Sequence, residues 1–414
     1  MYDLVVKGGT VLAPGDQLHG RLDIAIEQGK IIRIAPDIHE PARRVVDVRG
    51  ALVTPGLIDL HTHIDFGLRT EGINARGVDP DLIGVHAGVT TVVDAGTTGP
   101  YIFGGFRNYV INRARTRVLC FLHAGRGGIS LEPDVRYEDD VDIDAFVKAV
   151  ELNRDVIVGV KTRLVGPGLK TLGARIVELG REAARRVGLP LMVHTGDHMS
   201  RYEGAPEVTR AALKLFERGD IIEHSYTSMV GGMLDAHGRI LPEFREAIQR
   251  GVMVSAASGG VHLSFRVARI MLEQGIAPSF IATDLNKLNV WRGCHSLTEM
   301  MSQFLALGLP LEDVVRLCTV EPAKAIRRED ALGHLAVGRE ADLTVLEVVD
   351  GDWVYRDRDG ETLAGRKALV PVVTVRAGEI VTLDWGPHPW GWLPEPGGHA
   401  RHTPGDREEG PVST

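Results

Sequence analysis

The spacing of apolar side chains changes once along the chain. Before residue 56, apolar and polar residues alternate at 3–7, 22–27 and 30–34, and glycine or proline turns separate these stretches. Alternation with a period of two is typical of β-strands that have one solvated face. The first part of the chain is therefore predicted to form strands, and residues 52–56 form the turn that leads into the next region.

From residue 57 onward, apolar runs alternate with amphipathic stretches of helical length. Several of these stretches end at a glycine directly before the next run, for example at Gly88, Gly188 and Gly219. Glycine adopts the left-handed conformation that ends a helix, so each marks a passage from helix to strand. Eight such runs occur, at 57–61, 89–94, 117–122, 156–161, 189–194, 220–224, 252–256 and 279–283.

Eight β/α units over about 250 residues predict an α/β fold with a distorted (β/α)8 TIM barrel. An open, doubly wound sheet is the alternative, although no Gly-x-Gly-x-x-Gly opens the first unit. Strand character returns at 333–338, 341–346 and 372–381, and these late strands are expected to pair with the N-terminal ones in a small β-sandwich. The predicted domains are 1–56 with 333–385 for the sandwich, 57–332 for the barrel, and a partly disordered tail at 386–414.

Composition excludes several classes of protein. The 414 residues carry a net charge of -8 without a basic block, so a nucleic-acid partner is not expected. No apolar run approaches the roughly 20 residues of a membrane span, and the start lacks a signal-peptide pattern, so we expect a cytoplasmic protein that does not bind membranes. The three cysteines, Cys120, Cys294 and Cys318, lie far apart and predict neither a disulfide framework nor a cysteine zinc site. Assembly into a homo-oligomer is compatible with the sequence.

Residues suited to metal binding stand at the ends of the predicted barrel strands. His61 and His63 are two residues apart, so on a strand both rings project the same way. One such pair is a weak indication, but further candidates end other apolar runs, namely Lys161, His194, His224 and Asp284. Because active sites of barrel enzymes lie at the carboxyl ends of the strands, this coincidence predicts a metal centre.

Four histidines and a carboxylate exceed what a single catalytic ion needs, so two divalent ions, expected to be Zn²⁺, are the more natural interpretation. Two cations need a bridging anion. Lys161 could provide one if carbon dioxide converts its amine to a carbamate with two oxygens. The alternative is an inward-facing lysine that pairs with a neighbouring carboxylate.

These motifs, together with residues 53–63 and the closing segment 333–343, resemble the amidohydrolase superfamily, and within it the branch of dihydroorotase-like proteins and deacetylases of amino or hydroxy acids. The resemblance covers about residues 1–385. It implies a barrel with a flanking β-sandwich and a binuclear centre. In that centre His61, His63 and Asp284 would hold the more buried ion, His194 and His224 the more exposed one, and carboxylated Lys161 would bridge them.

The sequence departs from true dihydroorotases directly after the histidine pair. Those enzymes usually carry an arginine there that binds the substrate carboxylate, whereas this chain has Ile64 and Asp65. The expected function is hydrolysis of an N-acyl or O-acyl small carboxylic acid, with acetyl as the expected acyl group. Opening of a cyclic amide is the alternative, and a non-catalytic scaffold is a third.

The expected chemistry uses a hydroxide that bridges the metals, and Asp284 acts first as base and then as acid. Candidate substrate contacts are Arg163, which could bind a carboxylate, His262 in the loop after the seventh strand, and Asp94. Arg163 could instead form an ion pair at the barrel rim, and His262 could be an ordinary loop residue. Trp291, Arg292 and His295 are candidates for a lid.

Overall fold

A computed structural model describes residues 1–68, 76–131, 135–200, 202–290 and 294–397. The strands fall into two groups. The first group comes from the two ends of the chain and comprises β1 (Tyr2–Ala13), β2 (Leu18–Glu27), β3 (Lys30–Ala35), β4 (Ala42–Asp47), β5 (Leu52–Pro55), β14 (Leu343–Arg356), β15 (Thr362–Arg376), β16 (Glu379–Val381) and β17 (Glu395–Pro396). The second comprises β6 (Leu57–Thr62), β7 (Val89–Ala95), β8 (Arg117–His123), β9 (Ile157–Arg163), β10 (Leu191–His194), β11 (Ile221–Glu223), β12 (Met253–Ala257) and β13 (Phe280–Ala282).

The second group forms an eight-stranded sheet in the order of the chain, β6 to β13, and its neighbouring strands are parallel. The sheet curls so that its first and last strands meet. Two backbone hydrogen bonds join them: the Asp284 amide donates to the His61 carbonyl at 2.7 Å, and the His63 amide donates to the Leu285 carbonyl at 2.8 Å. The predicted (β/α)8 barrel is therefore confirmed, and the open doubly wound sheet is excluded.

Helices fill the connections between the barrel strands and follow β13. α5 shows why the predicted boundaries succeed: its C-cap is Gly188, whose φ of 71° permits the left-handed turn and whose amide donates to the Ala184 carbonyl. The helices are α1 (Pro80–Ile83), α2 (Phe103–Tyr109), α3 (Ile143–Glu151), α4 (Gly166–Thr171), α5 (Arg175–Val187), α6 (Ala205–Leu213), α7 (Pro242–Gln249), α8 (Phe265–Glu273), α9 (Leu297–Ala306), α10 (Leu311–Arg316) and α11 (Val320–Ala325).

The two chain ends share one mixed sheet. Its main path runs β16-β15-β14-β5-β1-β2-β3, while β4 pairs with β1 and β17 with β14. The pairing of β14 with β5 is antiparallel and joins the late strands to the early ones, as predicted. This sheet holds the chain just before β6, so it fixes where the first histidine strand enters the barrel.

Some details of the strand prediction are wrong. Residues 52–56 were expected to form a turn, but Leu52–Pro55 is strand β5, because its backbone pairs with both β1 and β14. Residues 333–338 do not form a strand, because Gly333 and Gly338 adopt positive φ and the Leu335 amide bonds the Asp16 carboxylate instead of a neighbouring strand. Conversely, β4 was not expected, because it pairs with β1 while remaining largely exposed and so carries little apolar pattern. These errors concern the mixed sheet and the segments beside it and leave the barrel unchanged.

No helix within the described ranges is long and apolar enough to cross a membrane. Two expectations fall outside those ranges. Trp291 and Arg292, the lid candidates, are not among the described residues, and neither are the tail residues 398–414 for which disorder was predicted.

Candidate metal centre

His61 and His63 both direct Nε2 toward the carboxylate of Asp284. The two nitrogens lie 3.4 and 3.0 Å from Asp284 Oδ1. Their other ring nitrogens are held from behind: His61 Nδ1 lies 3.0 Å from Glu223 Oε2, and His63 Nδ1 lies 2.8 Å from Thr97 Oγ1. A partner on Nδ1 fixes the orientation of the ring and leaves Nε2 to face a metal, which is the usual arrangement of metal-binding histidines.

His224 and Asp284 occupy a backbone conformation that is rare for residues other than glycine. Each has φ of 57° and each follows directly or closely upon a short barrel strand. His224 Nδ1 donates to the Ala257 carbonyl at 3.0 Å, and its Nε2 lies 3.7 Å from Asp284 Oδ2. Such left-handed residues are concentrated at functional sites, where the fold compels a geometry that the free chain avoids.

Gly259 makes room for the Asp284 carboxylate. A Cβ atom at Gly259 would lie 2.1 Å from Asp284 Oδ2, well inside van der Waals contact. Its φ of 54° is a second reason for glycine at this position. The loop after β12 is thus shaped around the carboxylate.

A second group of imidazoles adjoins the first. His194, His198 and His262 place one ring nitrogen each within 4.8 Å of one another. The ring of His262 also stacks on that of His224, with centroids 3.9 Å apart, and His194 lies 4.3 Å from His224 between centroids. The two groups therefore form one continuous cluster. Sequence reasoning did not single out His198, although its position four residues after His194 in the same strand-end loop would have pointed to it.

Lys161 is buried beneath this cluster, with 1% of the residue exposed. Burial lowers the pKa of its amine to about 8. Its Nζ donates to the weakly accepting sulfur of Met192 at 3.3 Å. Gly96, with φ of 85°, packs against the side chain so closely that a Cβ there would lie 2.7 Å from Lys161 Cβ.

The protonation of the cluster suits metal binding. Burial lowers the pKa of His61 and His194, and lowers that of His224 to about 3, so these rings are neutral at pH 7. Burial alone would raise the pKa of Glu223, but the His61 ring and Lys161 outweigh it and hold the pKa at about 2. Neutral imidazoles beside ionised carboxylates are the forms in which these side chains bind metals.

Several buried polar atoms at the centre lack a hydrogen-bond partner. Among the described residues these include His194 Nε2 and His224 Nε2. Buried polar atoms are almost always paired, so two unpaired ring nitrogens beside the Asp284 carboxylate indicate a missing partner. Histidine nitrogens with a carboxylate are the ligand set of zinc and similar ions, and the residues present therefore fit a metal centre.

A cavity of about 340 Å³ opens onto these groups. Two of the three predicted substrate contacts, Arg163 and His262, line it, and both are buried. Arg76 and His198 line it as well, and neither was anticipated. Two arginines therefore face the same space as the metal-binding side chains.

Asp94 lies outside the set of described residues that line the cavity. It is fully buried, and its carboxylate accepts hydrogen bonds from the Thr97 amide at 2.8 Å and the Ile64 amide at 3.2 Å. Because Thr97 in turn contacts His63, Asp94 acts on the loop that orients this histidine. Its shown hydrogen bonds go to backbone amides near His63, and its role as a substrate contact stays a prediction.

Asp59 closes the barrel beside the site. One carboxylate oxygen accepts from the Thr283 amide at 3.0 Å and from the His61 amide at 3.3 Å, while the other accepts from the Thr283 hydroxyl. The first and last barrel strands are thereby joined immediately before His61 and Asp284. Asp59 thus sets the separation of these two side chains.

A model of the amidohydrolase family matches residues 52–381. A curated deacetylase of Agrobacterium fabrum is 30% identical over 357 residues, which span 85% of this chain and 84% of that protein. Among solved structures, one titled as an adenine deaminase superposes with a TM-score of 0.82 at 27% identity, covering 92% of this chain and 100% of its own. One titled as a dihydroorotase gives a TM-score of 0.82 at 29% identity, covering 92% and 99%.

Proposed function

The chain belongs to the amidohydrolase family, and on that premise we propose that it hydrolyses the acyl bond of a small N-acyl or O-acyl carboxylic acid, with acetyl as the acyl group. It is a metal-dependent hydrolase of C–N bonds, as the family and the deacetylase relative indicate. The observation that carries the proposal is the convergence of the His61 and His63 Nε2 atoms on Asp284 Oδ1 at the mouth of the barrel.

We assign the ligands to two divalent ions, with zinc as the expected metal. His61, His63 and Asp284 would hold the more buried ion, and His194 and His224 the more exposed one. The orphaned nitrogens of His194 and His224 support this division. His198 and His262 adjoin His194 and would contact the substrate or complete the outer position.

The bridging anion in this proposal is a carbamate on Lys161. Only a neutral amine attacks carbon dioxide, and it releases one proton as the C–N bond forms. Burial supports this step because it lowers the lysine pKa to about 8, which raises the neutral fraction at pH 7 far above that of an exposed lysine. The resulting anion would replace the weak contact of Nζ with the Met192 sulfur.

Divalent ions held by these residues would supply a hydroxide nucleophile at neutral pH and would polarise the scissile carbonyl. The protein contributes the proton transfer and the geometry. Burial raises the pKa of Asp284, but the neighbouring imidazoles His61 and His63 outweigh it and keep the carboxylate ionised, so it can accept a proton at the site and deliver it to the leaving group. Glu223 and Thr97 hold the histidines in place while it does so.

Arg163 and Arg76 are the proposed partners of the substrate carboxylate. Both line the cavity, and a guanidinium can bind a carboxylate through two parallel hydrogen bonds. They would take the role of the arginine that dihydroorotases carry after the His61 and His63 pair. In this chain Ile64 follows that pair and is fully buried in the core. The cavity volume of about 340 Å³ suits a small acid.

The test is a hydrolysis screen of the zinc-loaded protein over N-acetyl-D-amino acids, N-acetyl-L-amino acids and O-acetyl hydroxy acids. Dihydroorotate, a hydantoin and adenine belong in the same screen, because solved relatives carry the titles dihydroorotase and adenine deaminase. Release of acetate from an acyclic substrate is expected. Turnover confined to the cyclic compounds would replace the proposal with its alternative, ring opening of a cyclic amide.

A further inference from the structure

A third group of possible metal ligands lies apart from the residues that line the active-site cavity. It consists of His295, which precedes α9, Glu299 in the first turn of α9, and His388 in the segment after β16. One ligand atom from each lies within 4.8 Å of the other two. Two imidazoles and a carboxylate form a ligand set that zinc uses.

One nitrogen of each histidine is available to a ligand. His295 Nδ1 lies 3.1 Å from the Val290 carbonyl, and since a carbonyl only accepts, Nδ1 is the donor and Nε2 of the neutral ring is the nitrogen that can bind an ion. His388 Nε2 is buried and has no hydrogen-bond partner, while its distance to Glu299 Oε2 is 3.6 Å. That separation is too long for a hydrogen bond, so direct pairing does not satisfy the nitrogen.

The distance is instead the one expected for two ligands of the same ion. Bonds of about 2.0–2.1 Å in a tetrahedral zinc site place neighbouring ligand atoms about 3.4 Å apart. His388 is also held in orientation: its ring is parallel to that of Trp390 at 5.1 Å between centroids, and the ring of His295 meets it edge-on at 4.5 Å. One pair of ligand atoms therefore already has the separation that a shared ion requires, and the remaining pairs lie within 4.8 Å.

We propose that His295, Glu299 and His388 bind a zinc-class divalent ion, which joins the C-terminal segment to α9. Three protein ligands leave the fourth tetrahedral position to water. None of these three residues belongs to the ligand groups of the catalytic centre. It would act as a cross-link, since it connects residues that are about 90 positions apart in the sequence.

The cross-link would also support the wall of the active-site cavity. His295 holds the Val290 carbonyl, and the adjacent Asn289 lines the cavity and donates from Nδ2 to the Asp284 carbonyl at 2.8 Å. An unbroken series of contacts therefore runs from the proposed ion to the backbone of Asp284. Binding at the third group would restrain this loop.

The experiment compares metal content in the full-length protein, in wild type, Glu299→Gln and His388→Ala, after equilibrium dialysis at one free zinc concentration. Each variant should retain one equivalent of zinc fewer than wild type. Glu312→Gln is the matched control, because Glu312 is also in the first turn of a helix but is exposed, and it should match wild type. Equal zinc content in all four proteins would overturn the proposal.

A second readout includes a check that the variant remains folded. Co²⁺ bound beside Trp390 should quench tryptophan fluorescence in the wild-type protein, with a phase that His388→Ala lacks while its circular dichroism is unchanged. Zinc should also slow proteolysis of the segment 385–397 in wild type and in Glu312→Gln. Quenching and protection that are the same in His388→Ala would show that the three residues form only an ordinary polar cluster.

Discussion

Glu223 Oε2 lies 3.0 Å from His61 Nδ1, and both side chains are almost completely removed from solvent. The two residues come from the sixth and first barrel strands, so the contact crosses the interior of the barrel. A buried carboxylate that holds the rear nitrogen of a histidine fixes its tautomer and makes Nε2 a stronger ligand. The sequence shows Glu223 only as the neighbour of His224, and this relationship exists only in the closed barrel.

Glu223→Gln should weaken metal binding without unfolding the protein. Glutamine keeps the shape of the side chain but removes the negative charge, which the His61 ring and Lys161 stabilise by lowering the carboxyl pKa. Loss of such a supporting group typically lowers metal affinity about 10–100-fold. Competition with a chelator measures this. Glu207→Gln, on the exposed face of α6, should bind zinc like wild type, and an unaltered affinity in Glu223→Gln would remove the supporting role.

Lys161→Ala should lose the bridging anion and most of the activity. Metal stabilisation of the transition state is worth several kcal/mol, so the loss should be about 100-fold or more in kcat. Formate or propionate diffusing into the vacated space should restore part of the rate, because a short carboxylate also offers two anionic oxygens. A variant that holds both metals and works at full rate without added acid would refute the carbamate.

Gly259→Ala should disable the site through Asp284. The new Cβ would occupy the position 2.1 Å from Asp284 Oδ2, and a displacement of about 1 Å in a catalytic group can cost about 100-fold in rate. Gly238→Ala is the matched control: Gly238 also has positive φ, at 74°, but nothing lies within 4 Å of its Cβ position. Both variants share the backbone strain, so only the first should lose kcat. Similar rates in both would mean that Asp284 tolerates the shift.

Arg163→Lys and Arg76→Lys should raise KM for a substrate with a free carboxylate. Lysine keeps the charge but cannot form the two parallel hydrogen bonds of a guanidinium. Hydrogen bonds to charged groups contribute about 1.5–3 kcal/mol, which corresponds to about 10-fold or more in KM. A carboxamide analogue of the same substrate should show no such change. If both substrates respond alike, the arginines serve the structure of the rim and not the carboxylate.

The three cysteines should be unreactive in the folded protein. Cys120, Cys294 and Cys318 are at most 1% exposed, and burial raises the pKa of the Cys120 and Cys318 thiols well above the ordinary value. At pH 8 they therefore remain protonated, and the thiolate is the form that reacts. Titration with an aromatic disulfide reagent should find no thiol in the native state and three in denaturant. A fast-reacting thiol in the native protein would contradict the burial.

The repeated units of the barrel were predictable because each strand is a short apolar run and several helical stretches are followed by a positive-φ glycine, such as Gly188, directly before the next strand. These are local properties, and they are visible without knowing which residues come together. The same reasoning failed at 333–338, because these residues form turns and the Leu335 amide donates to the Asp16 carboxylate. It also failed at β4, which pairs with β1 but is largely exposed.

The sequence alone determined which possible metal ligands stand at the strand ends, namely His61, His63, Lys161, His194, His224 and Asp284. The strand period of two directs His61 and His63 the same way, and a parallel barrel brings the carboxyl ends of all its strands to one end. Tertiary structure decided the rest. His198 and Arg76 reach the cavity, Asp94 turns away to the Thr97 amide, and Glu223 supports His61, because barrel closure and loop conformation bring together atoms that are far apart in the chain. A periodic pattern indicates on which side of its own strand a side chain lies, but it does not indicate which distant residues that side chain contacts.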